Sequence, residues 1–371
     1  MAIRVAVWVG TALTLIWAPS AGGLVFADAY GTSTNLLFRT FAQWDARWFV
    51  QIADHGYAEV PEAAAFFPLY PAAVHGLAWV TGSTLVAGTL ISLASAAVAA
   101  AVLAELARLL LGNRAVRDTV LYVALYPVAF VFTAVYSDAL FLALAAASFL
   151  AAERGRPVVA GVLVALATGT RLIGLALVPA LALLLWRGRR RIVRLAPLLL
   201  APAAVGLYAL YLDRTIGDAG AFARAQVTWD RHAATLGPLG GIVDAVQAAG
   251  RGLKTLVSAD AFGQEQTVSL WNVSHLVLLL AAVGLTIVAW QRLGPAYGLY
   301  SAVSLLVILS APATGFPLVS LPRLLLADFP VFLALAAVTL DRPRARETIL
   351  YGFAAVGAAA AIAFSRGIWI A

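Results

Sequence analysis

The sequence predicts an all-α polytopic membrane protein, a bundle of about eleven transmembrane helices (10–12) forming one domain over residues 1–371. Three observations predict it. Of the 371 residues 63% are hydrophobic and 12% charged, with a mean hydropathy of +0.92, whereas a soluble domain is about half apolar and about a quarter charged. Uncharged runs of roughly 17 to 25 residues, the length that crosses a hydrocarbon core, recur through the chain. The arginines fall between those runs in a pattern that fits a single orientation.

The first apolar run, 5–26, ends in small residues near VFADA as a secretory leader would. At about 22 residues it exceeds the usual apolar core of a leader and reads as an uncleaved first span. Further spans are predicted at 84–111, 118–134, 138–153, 157–170, 172–186, 195–212, 269–291, 295–310, 323–340 and 347–364. The segment FFPLYPAAVHGLAWV, 66–80, is short and carries Pro68, Pro71 and His75. Read as interfacial, it leaves Arg4, Arg114, Arg117, Arg154, Arg156, the RGRRRIVR run at 187–194, Arg292 and the DRPRAR run at 341–346 all on one side, which is then the cytoplasm. The N-terminus is cytoplasmic on that reading, and 27–83 and 213–268 are extracytoplasmic segments. The first holds interfacial helices. The second holds Asp213, Asp218, Asp230, Asp244, Asp260 and Glu265, with an amphipathic helix around GIVDAVQAAGRGLKTLV.

Several function classes drop out. The absence of cysteine excludes disulfides and thiolate metal sites. The four histidines are scattered, without HExxH spacing, and the first loop has no DxD pair, so no metal or other cofactor is expected. No Walker loop or dinucleotide fingerprint supports a soluble nucleotide sugar. The net charge of +7 is carried almost wholly by arginine and reports membrane orientation rather than a nucleic-acid partner.

The stretch QWDARWFVQIADHGY, 43–57, carries the first chemical signal. On a helix at about 100° per residue, Gln43, Arg47, Gln51 and Asp54 share a polar arc. Trp48, Phe49, Ile52 and Ala53 fill the opposite one, and Asp45 sits at its centre. A carboxylate there is costly unless water, a cation or a substrate compensates it. The competing reading makes Asp45 an N-cap of a helix over 46–54. Gly56 is expected to end the helix at positive φ. Trp44, Trp48 and Tyr57 suit an aromatic belt as well as sugar stacking.

The pattern W-D-x3-F-x2-I-A-x2-G-Y, here Trp44, Asp45, Phe49, Ile52, Ala53, Gly56 and Tyr57, resembles the signature of the PIG-V mannosyltransferases, a family of the GT-C glycosyltransferase class. FFPLYP (66–71), AVYSDALFLAL (134–144), ATGTRLIGLALVPAL (167–181) and SLPRLLLADFP (320–330) resemble family blocks in the same order, so the likeness spans residues 40 to 340. Asp138 stands where the family usually has Glu, Leu172 where Pro often follows the arginine, and Leu324 where an aromatic is common. The resemblance implies a GT-C-like bundle that takes mannose from a polyprenyl-phosphate donor, with the catalytic acidic residue, Asp45, in the first extracytoplasmic loop.

Sugar transfer from a lipid phosphate needs a base for the acceptor hydroxyl, and an apolar setting strengthens the Asp45 carboxylate for that role. It needs cations for the phosphate. Arg171, between two spans, and Arg323, after Pro322, are the candidates, because a guanidinium fork matches phosphate oxygens. Tyr136 and Asp138, at a hairpin tip, and His55, Trp44 and Tyr57 are the candidate substrate contacts; polar tip, turn and belt roles are the alternatives. Arg47 is expected to be solvated, Asp328 to pair with Arg323 or face the interior, and His75 has no evident partner. The transition state should resemble an oxocarbenium ion, reached by a single inverting displacement. The acceptor is open among glycolipid, glycan and protein, in a membrane-lipid setting. The near-total use of arginine over lysine points to a bacterial plasma membrane. A secondary transporter or lipid-linked-sugar flippase is the rival reading; transporters place their charges near the midplane in two related halves, whereas here the charges gather at one face.

Overall fold

The computed structural model describes residues 6–7, 9–11, 42–186, 191–258 and 263–370. The predicted first span, with Arg4, lies almost wholly outside them. The described residues are helical, with no strand among them and one isolated bridge between Arg231 and Ala313. In order, the longer helices are α1 (Asp45–His55), α2 (Leu69–Thr81), α3 (Thr84–Leu111), α4 (Asn113–Leu125), α5 (Asp138–Glu153), α6 (Pro157–Thr170) and α7 (Leu177–Leu185). They continue as α8 (Leu200–Ile216), α9 (Pro238–Ser258), α10 (Gln264–Val288), α11 (Pro295–Ser310), α12 (Leu321–Ala327), α13 (Phe329–Thr339) and α14 (Pro343–Ser365).

Every predicted span after the first falls on helical segments of the described residues, several of them shorter than a full span. Among the described residues, four helical stretches are long and apolar enough to cross a membrane: Thr84–Leu111, Ile192–Ile216, Glu265–Leu293 and Pro343–Ser365. A fifth arises if α12 and α13, bent by 81° at Asp328, form one broken span. Pro157–Thr170, Leu172–Leu185 and Pro295–Ser310 are apolar but shorter. The breaks have local causes. The predicted span 118–134 stops as an α-helix at Leu125, just before Pro127, and resumes as a 3-10 turn, Ala129–Thr133. Pro330 cannot donate into a continuous α12–α13 ladder. The 13-residue α2 is about 20 Å long, short of a hydrocarbon core of about 30 Å, and exposes Trp79 and Val80 at its end.

The core is organised around α5, which packs on α3, α6, α7 and α12. Its alanines allow close approach on every side, as in other membrane bundles. Phe149 anchors it among Tyr297, Tyr300 and Phe329. Gly161 of α6 meets the turn before α8 so closely that a Cβ would lie 2.4 Å from that of Pro197.

The basic turns gather at one end. Arg114 pairs with Asp341 at 2.7 Å, Arg346 with Asp118 at 3.7 Å and Arg154 with Glu105 at 2.5 Å. The Tyr297 hydroxyl reaches Glu153 at 3.2 Å. The exposed Arg114–Asp341 pair contributes little stability, but together the pairs fix which turns are neighbours. From that end α5 runs 16 residues, about 24 Å, to Asp138 at the other. The unexplained charges of the sequence collect there.

Candidate active site

Asp45 is the first residue of α1, not its N-cap. The cap position is Trp44, in a left-handed conformation (φ 56°), and no side chain caps the helix. The turn is held from α5's approach segment: the Tyr136 hydroxyl accepts from the Asp45 N–H at 3.2 Å and donates to the Gln43 carbonyl at 3.0 Å. Ser92 of α3 secures that segment by donating to the Tyr136 carbonyl at 3.1 Å. Gln43, placed on the polar arc by the sequence, is buried, because the turn folds it inward. Asp138 is likewise the first residue of its helix, so both carboxylates sit in a first helical turn, where the backbone dipole favours negative charge.

Two arginines face these carboxylates. Arg171 ends α6 in an extended conformation before the 3-10 turn Leu172–Ala176. The return is tight: a Cβ on Gly174 would lie 2.6 Å from the Thr168 backbone. Arg171 Nη1 is joined to Asp138 Oδ1 by a short hydrogen bond. Arg323, on α12, reaches both acids, with Nη1 2.5 Å from Asp45 Oδ2 and Nε 3.6 Å from Asp138 Oδ1. Its guanidinium carbon stands 5.2 Å over the Tyr136 ring, a cation–π contact. Asp138 Oδ2 and Arg323 Nε have no hydrogen-bond partner, so an acceptor and a donor stand ready inside the cluster.

A third guanidinium was not singled out from the sequence. Arg231 lies in the polar stretch between α8 and α9, donating from Nη1 to the Ala311 carbonyl at 3.0 Å and from Nη2 to the Val319 carbonyl at 3.1 Å. Val319 lies within the turn that leads into α12, which carries Arg323. Burial and the like charges of Arg323 and Arg171 hold the Arg231 pKa below its usual value, against the pull of Asp45. Backbone strain marks the same places. Trp44, Asp230 and Ser320 are the non-glycine residues at positive φ among those described. Trp44 and Asp230 directly precede Asp45 and Arg231, and Ser320 caps the helix that carries Arg323; residues held in such conformations cluster at functional sites.

Other sequence candidates fall elsewhere. His55 ends α1, about 15 Å along the helix from Asp45, and is exposed beside Glu59 at 3.6 Å. Tyr57 is packed against Tyr208, its hydroxyl donating to the Phe66 carbonyl at 2.7 Å. Gly56 ends α1 at φ 75°, as expected. Arg47 is half-buried over the Trp48 ring rather than fully solvated. Asp328 does not pair with Arg323: it accepts from Ser301 at 2.6 Å at the α12–α13 break. His75 docks α2 on α1, its Nδ1 2.6 Å from the Ala53 carbonyl while Nε2 accepts from Trp79 at 3.2 Å. Nδ1 therefore carries the proton.

A groove of about 780 Å³ opens between α1, α2, α6 and α8. Leu69, Ala72, Ala165, Leu166, Ala204 and Leu207 line it, with Asp54, His55 and His75 near the rim. Burial raises the Asp54 pKa, with His55, the Thr84 hydroxyl and His75 opposing the shift. Gly169 forms part of the wall two residues before Arg171 leaves α6; the cluster residues themselves do not line the groove.

Residues 24–188 match the family described as Mannosyltransferase (PIG-V). Over 146 residues the chain is 36% identical to GPI alpha-1,6-mannosyltransferase 2 of Cricetulus griseus, which covers 36% of this chain and 29% of that protein. Among solved structures, an Archaeoglobus fulgidus oligosaccharyltransferase complexed with Zn and sulfate aligns over 96% of this chain and 53% of its own, at 15% identity and a TM-score of 0.44. The archaeal oligosaccharyltransferase AglB of the same organism, in complex with an inhibitory peptide and a dolichol-phosphate, aligns over 98% and 56%, at 14% identity and a TM-score of 0.45. The chain spans about half the length of these two structures. Asp45, Asp138 and Arg171 lie within the matched family segment; Arg231 and Arg323 lie beyond it.

Proposed function

We propose that this chain, which is PIG-V-like over residues 24–188, is a GT-C-type membrane glycosyltransferase that moves mannose from a polyprenyl phosphate to an acceptor hydroxyl with inversion. The observation that carries the reading is the contact of Arg323 with both Asp45 and Asp138, beside Arg171, whose helix α6 also lines an apolar groove. The arginine distribution supports a site on the extracytoplasmic face of a bacterial plasma membrane, with a cytoplasmic N-terminus. The acceptor is a glycolipid, a glycan or a protein.

In this reading the prenyl tail lies in the groove and the phosphate meets Arg171 and Arg323. As the donor enters, Arg323 exchanges the Asp45 carboxylate for phosphate oxygens, which frees a base. The acceptor oxygen then attacks the anomeric carbon. Its proton passes to Asp45, the bond from that carbon to the phosphate oxygen breaks, and the electron pair leaves on the prenyl phosphate. Tyr136 and Asp138 hold Arg323 in place, and Trp44 walls the sugar. Guanidinium groups, rather than a divalent cation, carry the leaving charge.

The test supplies purified protein in detergent with radiolabelled polyprenyl-phosphate mannose and a membrane lipid extract. Label is expected to move to an acceptor, and Asp45→Asn is expected to cut transfer by about 10²–10⁴-fold while the protein still binds donor and stays folded. No movement of label from any polyprenyl donor would end the reading.

A further inference from the structure

Arg323 meets Asp45 from a helix whose first turn has an unusual support. Ser320 stands at the N-cap of α12 in a left-handed conformation (φ 62°), and no side chain caps the helix. The first N–H of α12, on Leu321, donates instead to the Leu318 carbonyl at 3.0 Å. That same oxygen accepts from His275 Nδ1 of α10 at 3.1 Å. A carbonyl oxygen has two lone pairs and so takes both bonds; because it only accepts, His275 Nδ1 carries the proton. His275 is buried, so the bond is shielded from water.

The contact belongs to a larger template on α10. About one turn before His275, Asn272 Nδ2 donates to the Gly315 carbonyl at 3.1 Å. Between these two ties the Phe316 ring lies nearly parallel to His275 (centroids 5.0 Å apart, 23°) and to Trp271 (5.7 Å, 21°). Two donors and two rings thus lay residues 315–318 against one face of α10, directly ahead of the helix that carries Arg323. We propose that His275 is a positioning residue for Arg323: it fixes the carbonyl on which α12 begins and so sets the guanidinium against Asp45 and Asp138. A histidine that served only its own hydrogen bond could take any nearby carbonyl; this one takes the carbonyl that starts the helix. The effect on turnover rests on the glycosyltransferase reading, whereas the placement of Arg323 on Asp45 is measurable without it.

The experiment is a double-mutant cycle on the full chain in detergent. Asp45→Asn and Arg323→Gln should together lower the melting temperature by less than their summed effects, because both break one ion pair. In His275→Phe, which keeps a ring against Phe316 and removes the N–H, that non-additivity should shrink by about twofold or more. His275→Asn, whose amide puts an N–H near the place of Nδ1, should restore most of it. A histidine with a purely structural role would lower every melting temperature alike, and an unchanged non-additivity in His275→Phe overturns the inference. The kcat for sugar transfer should fall by about 10–100-fold in His275→Phe, as the guanidinium loses its alignment, and recover in His275→Asn. A kcat unchanged in His275→Phe overturns it equally. Asn272→Leu frees Gly315, which lies further from α12, and should show a smaller loss of the same kind; it carries the comparison if His275→Phe does not fold. A wild-type protein whose Asp45–Arg323 coupling depends on His275 but that moves no sugar would sink the glycosyltransferase reading and leave the positioning role standing.

Discussion

The Tyr136 hydroxyl is clasped by the backbone on both sides of the Trp44 turn, accepting from Asp45 and donating to Gln43, while the Tyr136 ring lies beneath Arg323. One residue thus sets the position of the carboxylate and of the cation facing it. Tyr136→Phe keeps the ring and removes both hydrogen bonds. Thermal stability should fall by about 1–3 kcal/mol, the cost of buried groups left unpaired. The kcat should fall by about tenfold or more as Asp45 loses its alignment. Unchanged kcat in a destabilised protein would show that the turn is only structural.

Asp138 is nearly inaccessible and answers both Arg171 and Arg323. Asp138→Asn removes their shared counter-charge. Removing one member of such a pair costs about 3–5 kcal/mol, because the remaining charge stays buried without compensation. Thermal unfolding in detergent reads this directly. Addition of a prenyl phosphate monoanion should restore part of the loss, since it supplies the missing negative charge.

Filling the groove should separate donors by tail length. Ala204 of α8 and Leu166 of α6 face it. Ala204→Trp should raise KM for a long polyprenyl-phosphate mannose by about tenfold, as binding area is lost, and leave KM for a two-isoprene donor unchanged. Equal KM values for the two donors in the variant would place the tail elsewhere.

The close approach of α6 to the turn before α8 sets a tight steric limit. A Cβ at Gly161 would lie 2.4 Å from the Pro197 Cβ and 2.5 Å from its carbonyl oxygen. Gly161→Ala should therefore destabilise by about 1–3 kcal/mol through overpacking, although alanine is the better helix former. The melting temperature in detergent tests it.

Chelation offers a fifth comparison. With guanidinium groups holding the phosphate, transfer should survive EDTA at full rate. A requirement for added divalent cation would assign the leaving charge to a metal.

The sequence announced charges that stood in the wrong surroundings, and the fold brings Asp45, Asp138, Arg171 and Arg323 to one cluster. Asp45, Arg171 and Arg323 were legible because a charge amid apolar residues is costly enough to need a reason; Asp138 was legible from its place at a hairpin tip in a block that resembles the family. Arg231 was not, because it lies in a polar stretch where another cation is unremarkable; its meaning comes from carbonyls some eighty positions away. His55 and Tyr57 share a motif with Asp45, but an α-helical rise carries them out of reach. Hydropathy located the helical segments after the first, yet could not tell an unbroken span from one interrupted at Pro127 or at Asp328, since a proline or a bend leaves the apolar average unchanged.

The sharp angle between α12 and α13 decides how Arg323 is mounted. A straight helix would lock that side chain to the register of the whole rod, so any repositioning would drag a membrane-length element past its neighbours. Here it rides on a seven-residue arm, about 10 Å long, pivoted at Asp328 and tethered at its far end by Arg231. Leu321, Leu325 and Leu326 pack that arm into the core, so in the proposed reaction the guanidinium passes from carboxylate to phosphate by rotation of the Arg323 side chain, with no membrane-length element displaced.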